Sequence, residues 1–247
     1  MSLLTWNLKS VSLGMATHVA IALPEECEPS HTLYLLHGLT GVHTDWIYQG
    51  QAARLADKRG VAIVMPDGAC SFYTDAVHGL AWETWIGTEL RQRLGQYLQL
   101  PHDRDHTAIA GLSMGGYGAF RLALHQPDVY SAAMSLSGCV DVTEKPFVGR
   151  HPDLYEDIFG TYDVAGTEHD LMSELFSITK RASAQSVEVP RLWATCGTED
   201  RLLPHHERLV ATADEAGVAL THYSAPGAHN WEFWNEHLPH ALDWWLT

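Results

Sequence analysis

Six short runs constrain this chain more than any other feature: "TLYLLHG" from Thr32, "VAIVMPDG" from Val61, "HTAIAGLS" from His106, "YSAAMSLSG" from Tyr130, "RLWATCG" from Arg191 and "LTHYSAPG" from Leu220. Each is apolar at successive positions and closes on glycine or a small polar turn. A strand with one wet face alternates in polarity, so unbroken runs predict strands covered on both sides. Between them lie stretches with helical spacing of apolar residues: "DWIYQGQAARLADKRG" closed by Gly60, "WETWIGTELRQRLGQYL", "GGYGAFRLALHQ" stopped before Pro127, "PHHERLVATADEAG" stopped at Gly217, and "WEFWNEHLPHALDWWL". Strand and helix in alternation build a mostly parallel sheet with helices on both faces. Ahead of them, "WNLKSVSLG" and "ATHVAIALP" alternate polar and apolar around Gly14, which predicts an antiparallel hairpin at a sheet edge. The expectation is an α/β architecture of about eight strands.

Residues 140–188 break this rhythm, carrying short helical pieces and no strand-like run. They read as an insertion within one domain spanning residues 1–247, since no Gly/Ser-rich linker, repeat or low-complexity segment marks a boundary. The aromatic and apolar residues Phe147, Leu154, Tyr155, Ile158, Phe159 and Leu175 could form a partial lid. Ordinary packing, or contact with a second copy in a homo-oligomer, is open to the same residues.

Charge and cysteine usage exclude several classes of partner. The formal net charge of -15, from 15 Lys and Arg against 30 Asp and Glu, leaves no basic stripe for nucleic acid or an anionic membrane. Cys27, Cys70, Cys139 and Cys196 are scattered without a CxxC pair, so neither a disulfide framework nor a zinc site is signalled. "HHE" at 205–207 places adjacent histidines on a helix, where they point in different directions, so no metal is assigned. The first twenty residues hold one lysine and no run apolar enough for a signal or a membrane span, which gives a cytoplasmic expectation.

In open α/β sheets chemistry collects at the carboxyl ends of the strands. There stand Ser113 after "HTAIAGL", Glu199 and Asp200 after "RLWATCGT", and His229 after "HYSAPGA". The stretch "GLSMGG" at 111–116 puts Ser113 on a strand-to-helix turn, with Gly111 and Gly115 removing side chains where strand and helix come close. The following helix points its N-terminus at the serine, so the Met114 N–H can bind a developing negative charge. "HGLTG" at 37–41 offers a second tight turn, whose Leu39 N–H can face the same pocket. Here His37 reads as a structural hydrogen bonder.

Of the 16 histidines, His229 alone among those considered sits in a turn after the last strand, behind Pro226 and Gly227. His205 and His206 open a helix, His237 and His240 lie on the last helix, and His222 lies in a strand, so each reads as a core or surface residue. His229 is therefore the candidate general base for Ser113. Asp200 is preferred over Glu199 as its orienting acid, because a "GTxD" turn projects its fourth residue toward the neighbouring loop. Tyr73, Asp75, Trp82, Glu83 and Trp85 flank the loop after "VMPDG" and are expected near the pocket mouth, core packing being the other role open to the tryptophans.

The chain order Ser, Asp, His is that of an α/β hydrolase. Together "LLHGLTGVHTDW", "MPDGACSFYTDA", "WETWIGTEL", "GLSMGGYGAFRLAL", "CGTEDRLL" and "GAHNWEFW" resemble the esterase D group of α/β hydrolases, which includes S-formylglutathione hydrolases, tributyrin-type acetyl esterases and some feruloyl esterases. The resemblance runs from Leu33 to Trp234 and is weakest across the insertion. It implies Ser113, Asp200 and His229 as a catalytic triad, Leu39 and Met114 as oxyanion-hole donors, and a hydrolase without a cofactor. S-formylglutathione hydrolases of the group usually carry a cysteine shortly after "GLT", where this chain has Gly41. With His37, "SFYTD" and "WETW", the resemblance leans to the tributyrin-type esterases. The resulting expectation is a serine carboxylesterase for short acyl groups, extending to acylated sugars. Formylglutathione and feruloyl esters are the alternatives, and an acyltransferase with the same triad is the rival of another class.

Overall fold

The computed structural model describes residues 2–144 and 152–247. Its eight strands are β1 (Ser2–Lys9), β2 (Ala16–Leu23), β3 (Thr32–Leu36), β4 (Ala62–Pro66), β5 (Thr107–Leu112), β6 (Ala132–Leu136), β7 (Arg191–Gly197) and β8 (Leu220–Ala225). They form one sheet in the order β1-β2-β4-β3-β5-β6-β7-β8. The β1–β2 and β2–β4 pairings are antiparallel and the rest parallel. The expected α/β architecture with an antiparallel edge is borne out.

Strand pleating explains why the central runs are apolar throughout. Along β3, Leu33 and Leu35 face one layer with Ile63, Met65, Ala108 and Ala110, while Tyr34 and Leu36 face the other with Val64 and Ile109. The first layer is covered by α1 (Asp45–Tyr48), α2 (Ala52–Arg59) and α9 (Trp231–Trp245). The second is covered by α3 (Trp82–Thr84), a π-helical turn (Trp85–Leu90), α4 (Arg91–Tyr97), α5 (Met114–His125), α6 (Pro152–Phe159), α7 (Leu171–Gln185) and α8 (Leu203–Ala216). Because β8 ends the sheet, it has a partner on one side only, and Thr221, His222 and Ser224 are exposed. The reading of its run as covered on both faces is corrected accordingly.

Two further expectations change. The helical stretch from Asp45 to Gly60 is broken between α1 and α2, where Gly50 lies against Trp46; a Cβ there would come within 2.6 Å of the Trp46 carbonyl oxygen. The insertion contains α7, fifteen residues long rather than a short piece. Of the residues proposed for a lid, Tyr155, Ile158, Phe159 and Leu175 are buried in the second layer and Leu154 packs against it. Phe72 meets Tyr155 and Phe159 at centroid distances of 6.3 and 6.0 Å. Phe147 lies outside the described residues.

Candidate active site

The turn from β5 into α5 carries its strain at Ser113, whose backbone has φ 54° and ψ -117°. That conformation is costly for a residue with a Cβ and persists only when the surroundings fix it. Here they do: the Ser113 N–H donates to the Leu136 carbonyl at 3.0 Å, and its own carbonyl accepts from Cys139 N–H at 2.9 Å. The flanking glycines are required by contact. A Cβ on Gly111 would lie 2.4 Å from the Gly115 carbonyl carbon, and one on Gly115 would lie 2.6 Å from the Leu36 carbonyl oxygen.

The Ser113 hydroxyl is 3.1 Å from His229 Nε2. His229 Nδ1 is 2.9 Å from Asp200 Oδ2 and 3.1 Å from Oδ1. Three strand ends therefore deliver one hydrogen-bonded series. Asp200 is buried, and its Oδ1 also accepts from Leu202 N–H at 2.8 Å. Burial acts to raise its pKa, but hydrogen bonding from His229 and Leu202 prevails and holds it below the ordinary carboxylate value. Asp200 is thus an anion facing a ring N–H. The competing acid, Glu199, instead accepts from Gly227 N–H and ties the two loops together. His229 is fixed in turn by Trp234, edge to face at 5.0 Å, and by Asn230, whose side chain caps α9 at Phe233 N–H.

On the other side of Ser113 is the turn after β3, closed by the Gly41 N–H on the Gly38 carbonyl at 3.0 Å with Thr40 at φ 66°. Met114 opens α5, where first-turn N–H groups have no intrahelical acceptor. Neither its N–H nor that of Leu39 donates to a protein acceptor among the described residues. His37 Nε2 accepts from Gly68 N–H at 3.0 Å, so it is the structural residue that the sequence suggested.

A cleft of about 530 Å³ opens over this arrangement, walled by Leu39, Gln49, Arg201, His229, Trp231 and Trp234, with Ser113 in its floor. The residues expected at its mouth are elsewhere. Tyr73 is fully buried between Gly68 and Gly118, whose Cβ atoms would each approach its ring to 2.3 Å. Its hydroxyl donates to the His37 carbonyl at 2.8 Å and so buttresses the turn from behind. Trp82 and Trp85 belong to the core. Asp75 caps Thr84 N–H at 2.9 Å, and Glu83 pairs with Arg121 and His125. The segment after β4 turned inward because its aromatic residues had a core layer to fill. The true wall, Arg201 with Trp231 and Trp234, adjoins Asp200 and His229 in sequence, and that adjacency was the available signal.

Similar proteins were found by both sequence and structure. An acetyl esterase of Caldicellulosiruptor saccharolyticus is 26% identical over 227 residues, covering 89% of this chain and 84% of the relative. A diacylglycerol acyltransferase/mycolyltransferase, Ag85A, of Mycobacterium leprae is 29% identical over 267 residues, covering 94% and 79%. Among solved structures, the fluorophosphonate-binding serine hydrolase FphF of Staphylococcus aureus superposes with a TM-score of 0.89 at 27% identity, covering 100% of this chain and 98% of that one. The S-formylglutathione hydrolase FrmB of the same organism gives 0.87 at 27%, covering 100% and 99%. The family model described as "Putative esterase" matches residues 10–245, nearly the whole length, and the chain belongs to that Esterase family.

Proposed function

We propose that the chain is a serine carboxylesterase that hydrolyses short-chain acyl esters, acetyl to butyryl, through an acyl-enzyme on Ser113. The observation that carries this is the Ser113–His229–Asp200 series, opening into a cleft from a strained turn. Neutral His229 takes the Ser113 proton as Oγ bonds to the ester carbonyl carbon, and Asp200 stabilises the imidazolium that results. The N–H groups of Leu39 and Met114 bind the oxyanion, each contributing roughly 3 kcal/mol. The alcohol leaves with the proton from His229. Water then attacks the acyl-enzyme by the same route in reverse and frees Ser113.

Gly41, in the turn after β3, and Asp45, which opens α1, favour a carboxylic ester over the glutathione thioester. A Cβ on Gly41 would lie 2.5 Å from Asp45 Oδ2, so the carboxylate occupies the space a cysteine side chain would need. The acyltransferase reading is kept because of the Ag85A likeness; partition of product between hydrolysis and alcoholysis decides it. One sheet from Ser2 to Ala225, with α6 and α7 packed on its second layer, supports reading residues 140–188 as an insertion in a single unit. Exposed free thiols at Cys27 and Cys70 suit a reducing compartment, the cytoplasm. Among the described residues no helix is long and apolar enough to cross a membrane.

The test is a panel of p-nitrophenyl esters of rising chain length, with an acetylated sugar, a feruloyl ester and S-formylglutathione included. Acetyl to butyryl esters should turn over fastest, and organophosphonate labelling should map to Ser113 and vanish in Ser113→Ala. Faster turnover of S-formylglutathione would overturn the substrate class, and labelling retained in Ser113→Ala would overturn the nucleophile.

A further inference from the structure

The β2–β4 pairing sets Val19 opposite Pro66, and one step on the Asp67 N–H donates to the His18 carbonyl at 2.9 Å. Residues so opposed carry their side chains on one face. His43 arrives there from the turn after β3, its ring stacked on His18 at 5.2 Å and 14°. One ligand-type atom from each of His18, His43 and Asp67 lies within 4.8 Å of the others. His43 Nδ1 is buried without a hydrogen-bond partner, 3.8 Å from Asp67 Oδ2. That oxygen accepts no hydrogen bond among the described residues, and Oδ1 has only the Ala69 N–H at 3.4 Å. His37 does not fill the need: its Nε2 lies 3.5 Å from Oδ1 but is itself an acceptor, bonded to Gly68 N–H.

We propose that His18, His43 and Asp67 form a binding site for a divalent transition metal of zinc type, tying the turn that carries Leu39 to the antiparallel edge of the sheet. Two imidazoles and a carboxylate are a donor set for such ions, with a fourth position left for water. Bonds of about 2.1 Å in a tetrahedron need donors about 3.4 Å apart, so the three atoms must close by up to roughly 1.4 Å, within the reach of side-chain torsions. His43 and Asp67 side chains are 15% and 24% exposed, which gives an ion access. Sequence reading missed the site because its members come from β2, the turn after β3 and the end of β4.

The experiment titrates dialysed, full-length protein with ZnCl₂ and, separately, CoCl₂. One equivalent should bind at micromolar concentration, Co²⁺ should develop tetrahedral d–d absorption, and the melting temperature should rise with Zn²⁺. Ser113→Ala should bind as the parent does. His18→Ala, His18→Gln and His43→Ala should each weaken binding at least tenfold, with far-UV circular dichroism confirming that they fold. Full-affinity binding in a folded His18 variant would assign the ion to other histidines and overturn the proposal, as would no binding below millimolar metal.

Discussion

The first turn of α5 packs backbone to backbone against the end of β3, and Gly115→Ala tests what that contact does. The new Cβ would meet the Leu36 carbonyl oxygen at 2.6 Å and that of His37 at 2.7 Å, where ordinary contact begins at 3.4 Å. Both neighbours are backbone, so the helix and the turn must separate by up to about 0.8 Å, the shortfall from 2.6 to 3.4 Å. The Met114 and Leu39 N–H groups sit on opposite sides of that gap. A misplacement of this size costs on the order of 10²-fold in rate, equivalent to about 2.7 kcal/mol in the barrier. Overpacking adds a stability cost of about 1–3 kcal/mol, or roughly 2–12 °C in melting temperature at this length. Steady-state kinetics with p-nitrophenyl acetate should show the loss in kcat with KM little changed, and fluorophosphonate labelling should slow in step. Gly95→Ala is the control: it lies inside α4 with nothing within 4 Å of a new Cβ, and should stabilise by about 1 kcal/mol without touching kinetics. Gly115→Ala retaining activity within about threefold would refute the claim that this contact sets the spacing of the two donors.

Asp200→Asn should lower kcat by about 10⁴-fold with a small change in KM, because an amide cannot hold the His229 ring in the donating tautomer or stabilise its cation; steady-state rates on the short-ester panel check it. His206 is buried beside His222, and desolvation first, then that neighbour, lowers its pKa to about 4. The unfolded chain takes up a proton near pH 6.5 where the fold does not, so stability should fall as pH drops from there toward 4, by about 2 kcal/mol at pH 5; urea midpoints of His206→Leu should lose that slope relative to the parent. Glu89, on the π-helical turn, accepts from the Ser10 and Ser12 hydroxyls and the Val11 and Ser12 N–H groups. Burial acts to raise its pKa, yet these donors hold it down to about 2. Glu89→Ala should cost about 2 kcal/mol in chemical denaturation and expose the β1–β2 loop to hydrogen exchange.

The sequence by itself determined the sheet. Five central runs were legible as strands because burial on both faces leaves no polar alternation, and the N-terminal pair because it does alternate around Gly14. It also determined the strand-to-helix turn at Ser113, whose flanking Gly111 and Gly115 the structure sets beside backbone at 2.4 and 2.6 Å. Ser113, Asp200 and His229 followed because strand ends in this topology share one edge. What only the tertiary structure decided was the side on which each loop residue lands. Tyr73, Trp82 and Trp85 turned into the core, where burial of an aromatic ring is worth more than a place at the mouth. Trp231, Trp234 and Arg201 took that place, and Asp45 closed the space that Gly41 leaves open. His18, His43 and Asp67 are brought together by register and a turn, which local patterns do not encode. Strand identity is a property of a few consecutive residues, whereas a cleft wall is chosen by competition among all the side chains that could fill the same volume.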